Sequence, residues 1–174
     1  VMSGDKFGLT PFGKLAVKEM EKEGIVIDVS HASEALFYDV AENTERPFIA
    51  THSNSKVLCK HPRNLTDVQF RIICNRGGLV GLNYFKAFLN DDPAKADIED
   101  LFAHAEHFLS LGGADVIAMG SDFDGSDMPH GITGLESVED IANVFLRHNL
   151  PEALVDKIFF ENAASFFKRF DRNA

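Results

Sequence analysis

Two histidines close short apolar runs. Ile25-Val26-Ile27 leads through Asp28, Val29 and Ser30 to His31, and Phe48-Ile49-Ala50 leads through Thr51 to His52. A third run, Val116–Gly120, opens onto Ser121-Asp122-Phe123-Asp124-Gly125. Neutral imidazole is a standard zinc ligand. A carboxylate beside an imidazole pair can serve as general base or as a metal-linked group. A lone histidine at a strand end is more often a hydrogen-bonded structural group, but two at equivalent ends of neighbouring strands converge on one spot. Asp and Gly also favour turns. On the functional reading, strand alternation sends one aspartate inward, and Asp122, which directly continues the run, is preferred over Asp124.

Other residues carry weaker signals. Arg63, in His61-Pro62-Arg63-Asn64, is either an exposed loop residue or a bidentate fork for a substrate carboxylate. His61 is expected at the surface. His104 and His107 share a face of one amphipathic segment, where packing or solvent is expected. His130 and His148 are expected in a loop or at a helix end. Asp28 lies three residues before His31, on the opposite face if the strand continues, so it is not assigned to support that histidine. The sequence contains no GxSxG, no Gly-rich phosphate loop and no CxxC.

These residues need elements to hold them. Apolar runs predict strands over Ile25–Val29, Phe48–Thr51, Leu79–Tyr84 and Ala114–Gly120. Helical periodicity marks Lys14–Lys22, Ser33–Glu42, Thr66–Asn75 and Ile98–Leu111, then two or three helices between Val138 and Phe170. Ser33 and Thr66 read as caps, the latter in a capping box. Gly4–Gly13, Ser53–Arg63 and Phe85–Lys95 read as connections. Strands alternating with helices predict a parallel α/β sheet, with its chemistry at the carboxyl ends of the strands. Four such units make half of an eight-stranded barrel, or most of a small doubly wound sheet.

The chain has 174 residues and a formal net charge of −10, which argues against nucleic-acid or anionic-membrane partners. Cys59 and Cys74 form neither a metal spacing nor a disulfide framework. No run reaches membrane-spanning length and no signal peptide is visible, so a reducing, cytoplasmic setting is expected. The abrupt start at Val1-Met2-Ser3 leaves room for an upstream targeting segment.

The segments GLTPFGKLAVKEMEKEGIVIDVSHAS, THSNSKVLCKHPRNLTDVQFRIICNRGGLVGLNYF and IAMGSDFDG, followed by GLES and ENAASFF, together resemble the renal (membrane) dipeptidase family of zinc peptidases. The resemblance implies a TIM-type (β/α)8 barrel that binds two zinc ions and hydrolyses dipeptides. It implies that His31 and His52 are ligands of one zinc, that Arg63 clamps the dipeptide carboxylate, and that Asp122 is the acid/base. Asn83 matches a family position near the substrate pocket. The other zinc of the family is held by an HxD pair, with a bridging glutamate, on earlier strands, and no HxD occurs here. The expectation is therefore one partial barrel over residues 1–174, of about four strand–helix units, with the N-terminal strands missing. Two readings stay open beside a zinc dipeptidase: an inactive or weakly metal-binding barrel fragment, and another metal-dependent barrel amidohydrolase. Open strand edges and an uncovered interior in such a half barrel also predict that the chain alone associates or is poorly folded.

Overall fold

The computed structural model describes residues 7–172. Of the connection expected over 4–13, residues 4–6 lie outside this range. Three parallel strands, β1 (Ile49–Ala50), β2 (Leu79–Asn83) and β3 (Ile117–Ser121), form a sheet in the order β1-β2-β3. The parallel α/β expectation holds.

The helices are α1 (Pro11–Lys22), α2 (Glu34–Asn43), α3 (Asp67–Asn75), α4 (Lys86–Leu89), α5 (Ile98–Ser110), α6 (Val138–Arg147), α7 (Glu152–Asp156) and α8 (Asn162–Arg172). Ser33 caps α2 by accepting the Leu36 amide, and Thr66 forms the expected box with Gln69. Helix α1 begins three residues before its expected start. Thr10 accepts the Gly13 amide, and Pro11 fits the first helical position because its missing N–H has no partner to lose there. The connection after β2 contains α4, which buries Phe88 and Leu89.

The first expected strand is nearly absent. Segment 25–29 makes a single parallel bridge, Asp28 to Ile49, flanked by the Val29 amide to Ile49 O (2.8 Å) and the Ile49 amide to Ile27 O (2.9 Å). The ladder stops because the Thr51 amide, next in line, bonds the Asp28 carboxylate at 3.0 Å instead of a main-chain carbonyl. Strand β3 also starts later than expected, since Gly113–Asp115 forms a 3₁₀ turn.

Alternation along the strands sorts the core onto two faces. Val80, Leu82 and Ile117 join the main cluster with Phe70 and Phe108, whose rings stack at 4.0 Å. Ile49, Leu79 and Ala118 pack instead against Phe166 and Phe170 of α8. Asn162, at the start of α8, anchors that helix by donating to Ala114 O (2.9 Å) and Ile117 O (2.8 Å). No helix among the described residues is long and apolar enough to cross a membrane.

Two glycines let the strands close up beside the site. A Cβ at Gly81 would lie 2.0 Å from the Thr51 carbonyl oxygen, and one at Gly120 would lie 2.1 Å from it. Both contacts are with backbone, which cannot swing aside. Gly120→Ala is expected to destabilise the protein by about 1–3 kcal/mol through overpacking. The measurement is a shift of the urea midpoint at constant slope, and an unchanged midpoint would contradict the packing described.

Candidate metal and substrate site

His31 and His52 come from adjacent chain segments at the same end of the sheet. The chain turns sharply after the bridge at Asp28, with the Ala32 amide donating to Val29 O at 2.9 Å, and His31 sits in that turn just ahead of α2. His52 follows β1 directly, and the next residue returns to the sheet through the Ser53 amide to Gly81 O, 2.8 Å. The two Nε2 atoms lie 3.0 Å apart, with ring centroids at 5.0 Å and the planes inclined by 61°. The sequence-level expectation of convergence is thus what the fold produces. Burial lowers the His31 pKa, and the Arg63 cation and His52 add to this, against the carboxylates of Asp28 and Asp122.

Arg63 reaches the same point from the loop after β1. Its Nε donates to Ser30 O at 2.7 Å, and its Nη2 lies 3.2 Å from His52 Nε2. Its guanidinium carbon lies 5.3 Å from the centre of the Phe88 ring. Burial lowers the Arg63 pKa, while Asp122 and Asp28 act in the opposite sense. The loop carrying Arg63 is held from below. Asn64 Nδ2 donates to Cys59 O and Phe88 O, both at 2.9 Å, and the Leu65 amide donates to Asn54 O at 2.8 Å. His61 is not the surface residue expected. It is half-buried, its ring lies 4.3 Å from that of Phe88, and its Nδ1 accepts the Arg63 amide at 3.2 Å.

His104 settles on the packing side of its expectation. It is fully buried, accepts the Ser55 amide on Nδ1 (3.0 Å) and donates from Nε2 to Leu89 O (2.9 Å). It therefore braces the start of the Arg63 loop against α4. His107 pairs with Asp67 at 2.8 Å, and His148 stacks on Phe102 and pairs with Glu99 at 2.6 Å.

Asp122 is aimed by an irregularity. The pairing of β2 with β3 shifts between Leu82 and Asn83, so Asn83 faces Ser121. Ser121, Asp122 and Asp124 then take positive φ values of 45°, 72° and 40°. Non-glycine residues in that region cost on the order of 1–3 kcal/mol each and cluster at functional sites. Asn83 is fully buried. Its Oδ1 accepts the Phe85 amide at 2.6 Å, which fixes the amide so that Nδ2 donates to Asp122 Oδ2 at 3.2 Å and to His52 O at 3.4 Å. Asn54 fastens Asn83 in turn, accepting its backbone amide (2.9 Å) and donating to its carbonyl (2.8 Å).

Asp28, left unassigned by strand alternation, lies at the centre of the hydrogen bonding. Its carboxylate accepts from the Ser30 amide (3.0 Å), Ser30 Oγ (2.7 Å), the Thr51 amide (3.0 Å) and Thr51 Oγ1 (2.6 Å). Desolvation alone would raise its pKa, but these hydrogen bonds together outweigh that and lower it. The sequence signal was an Asx turn, an aspartate whose carboxylate takes the amide two residues on.

Two imidazole nitrogens at this separation suit one divalent cation, needing only a small opening to reach the ~2.0–2.1 Å of a zinc–nitrogen bond. No group of three or more His, Cys, Asp or Glu side chains that could hold a metal is found among the described residues. The site thus offers an imidazole pair, an adjacent cation and a held carboxylate. A cleft of about 330 Å³ between Arg46, Phe166 and Phe170, lined also by Pro47 and Gly77 just ahead of β1 and β2, lies at the other end of the sheet.

The fold superimposes on a metallo peptidase from Rhodobacter sphaeroides, solved with a phosphinate mimic of the dipeptide L-Ala-D-Ala, with a TM-score of 0.92 and 34% identity, over 98% of this chain and 49% of that one. The sequence is 36% identical over 159 residues to the dipeptidase tcpJ of Claviceps purpurea, covering 89% of this chain and 37% of that protein. It is 35% identical over 158 residues to an uncharacterised protein from the pqqA 5′ region of Klebsiella pneumoniae, covering 89% of this chain and 58% of that protein. The chain therefore spans roughly a third to three-fifths of the curated relatives it matches. Residues 2–174 match the family described as membrane dipeptidase, peptidase family M19, and the chain belongs to that family of metallo-dipeptidases.

Proposed function

We propose that this chain is the C-terminal part of a (β/α)8-barrel zinc dipeptidase and carries one zinc-ligand pair, the carboxylate clamp and the acid/base of a two-zinc site. The observation that carries this reading is Arg63 Nη2 at 3.2 Å from His52 Nε2, beside the converged imidazoles. In a dipeptide the scissile carbonyl and the terminal carboxylate are separated by one residue, about 3.8 Å between Cα positions. A fixed cation beside the imidazole pair can take the terminal carboxylate while the neighbouring carbonyl faces the metal, and it selects short substrates with a free carboxylate.

His31 and His52 would hold the zinc through Nε2. When bound, zinc supplies Lewis-acid polarisation of the scissile carbonyl and activation of water. Arg63 orients the substrate through two parallel N–H donors, which confers register as well as affinity. Asp122 takes the proton released as water attacks and returns it to the leaving amine. Asn83 contributes through Asp122, which its amide holds at the strand end.

The test is substrate selectivity in the full-length, zinc-loaded enzyme. Arg63→Ala is expected to lower kcat/KM for dipeptides at least 10-fold, by loss of a charge-assisted bidentate contact of about 1.5–3 kcal/mol. Dipeptide amides, which lack the carboxylate, should be cleaved poorly by both forms. An equal loss on acids and amides would favour another metal-dependent amidohydrolase. The ligand pair also favours a second reading for the isolated chain, weak binding of a single metal ion, because no third ligand joins it among the described residues. Zinc titration separates the two, since two tight ions per chain with hydrolysis would exclude the weak-binding reading.

A further inference from the structure

We propose that Asp28, acting through the Thr51 hydroxyl, fixes His52 as its Nδ1–H tautomer and so turns the Nε2 lone pair toward the metal. This rests on the reading of His52 as a zinc ligand. Asp28 and Thr51 are positioning residues, since neither need touch metal or substrate for the effect.

The assignment follows from counting protons. A hydroxyl has one hydrogen. Thr51 Oγ1 lies 2.6 Å from Asp28 Oδ2, and an ionised carboxylate only accepts, so the threonine proton is spent there. Thr51 Oγ1 is also 2.7 Å from His52 Nδ1. With its hydrogen gone, the oxygen can only accept at that contact, so Nδ1 carries the ring proton. Ser30 repeats the pattern on the backbone. Its hydrogen goes to Asp28 Oδ1 at 2.7 Å, leaving Oγ to accept the His52 amide at 3.0 Å.

The far side of the ring agrees independently. His52 Nε2 lies 3.2 Å from Arg63 Nη2, and a guanidinium only donates. Facing that donor, Nε2 presents a lone pair, and the His31 Nε2 at 3.0 Å then supplies a proton to the contact or none, according to its own tautomer. One carboxylate sets two hydroxyls, and these fix both the ring and the main chain of His52. A metal-ligating histidine needs its second nitrogen held in this way, and loss of such a partner typically costs about 10- to 100-fold in metal affinity. The usual partner is a direct carboxylate or carbonyl. Here a threonine is interposed, and it comes from the residue immediately before the ligand.

The variants separate chemistry from shape. Thr51→Val keeps the β-branched outline and removes the acceptor. Asp28→Asn places an amide donor where a hydroxyl now donates, which drives the Thr51 proton toward His52 Nδ1. Thr51→Ser retains the hydroxyl. In the zinc-free protein, ¹⁵N spectra of labelled histidine should show a protonated Nδ1 and a bare Nε2 for His52. Thr51→Val and Asp28→Asn should move His52 toward the Nε2–H form and weaken zinc, measured by competition with a chromophoric chelator, about 10- to 100-fold. Thr51→Ser should restore both readings. Wild-type tautomer and affinity in folded Thr51→Val would overturn the proposal while leaving zinc binding at His52 intact. A His52 signal that ignores added zinc would overturn it together with the functional reading. If Thr51→Val does not fold, an Nε2–H His52 in the wild-type spectrum is sufficient to refute it.

Discussion

In the full-length zinc enzyme, Asp122→Asn is expected to lower kcat for dipeptide hydrolysis about 10²- to 10⁴-fold, the usual contribution of a positioned proton carrier. Zinc content and KM should stay near wild type. The substitution is chosen for its backbone as much as for its charge. Asp122 sits at φ 72°, and asparagine tolerates that region nearly as well as aspartate, whereas alanine would add strain. The amide of Asn83, held by the Phe85 N–H, can still donate to the side-chain oxygen of the new residue. Geometry is thus kept while the titrating group is removed. Steady-state kinetics with zinc measured by elemental analysis decides the matter. A variant retaining more than about a tenth of kcat would remove Asp122 from the proton-transfer role.

The route by which Asp122 reaches the site shows where sequence reasoning stops. Alternation selected Asp122 because it continues the strand. In the structure its direction comes from the register shift at Leu82/Asn83 and from left-handed backbone at Ser121 and Asp122. The same rule that selected Asp122 set Asp28 aside, since residues three apart in a strand face opposite ways. The strand had already ended, and the carboxylate that ended it by capturing the Thr51 amide is the one that serves His52. Local signals were legible where one residue satisfies its own neighbourhood, as with the caps Ser33 and Thr66. The strand-end histidines were legible because burial demands apolar runs before them. What could not be read were contacts decided by distant partners, such as His61 on Phe88 and His104 between Ser55 and Leu89.

His104 gives the second large effect, a loss of stability in acid. Its pKa is pushed down to about 4 from 6.5, chiefly by burial. The Leu89 carbonyl and Asp100 pull it up, and His107 adds to the lowering. In the folded protein both ring nitrogens are committed, Nε2–H to Leu89 O and the Nδ1 lone pair to the Ser55 amide, so a second proton would set two N–H groups against each other. The unfolded chain binds that proton near pH 6.5 and the folded one does not until about pH 4. Stability from this residue is therefore complete above pH 6.5 and declines as pH falls toward about 4, by about 3 kcal/mol in all. His104→Gln removes the titration while leaving an amide able to reach one of the two partners. Burying the other unpaired should cost about 1–3 kcal/mol at pH 7. On acidification the gap between wild type and variant should close, because only the wild type pays for the excluded proton, and other titrating groups cancel in the difference. Urea unfolding of both proteins between pH 7 and 4.5 measures that difference, and parallel stability curves would show that His104 is not held neutral by the fold.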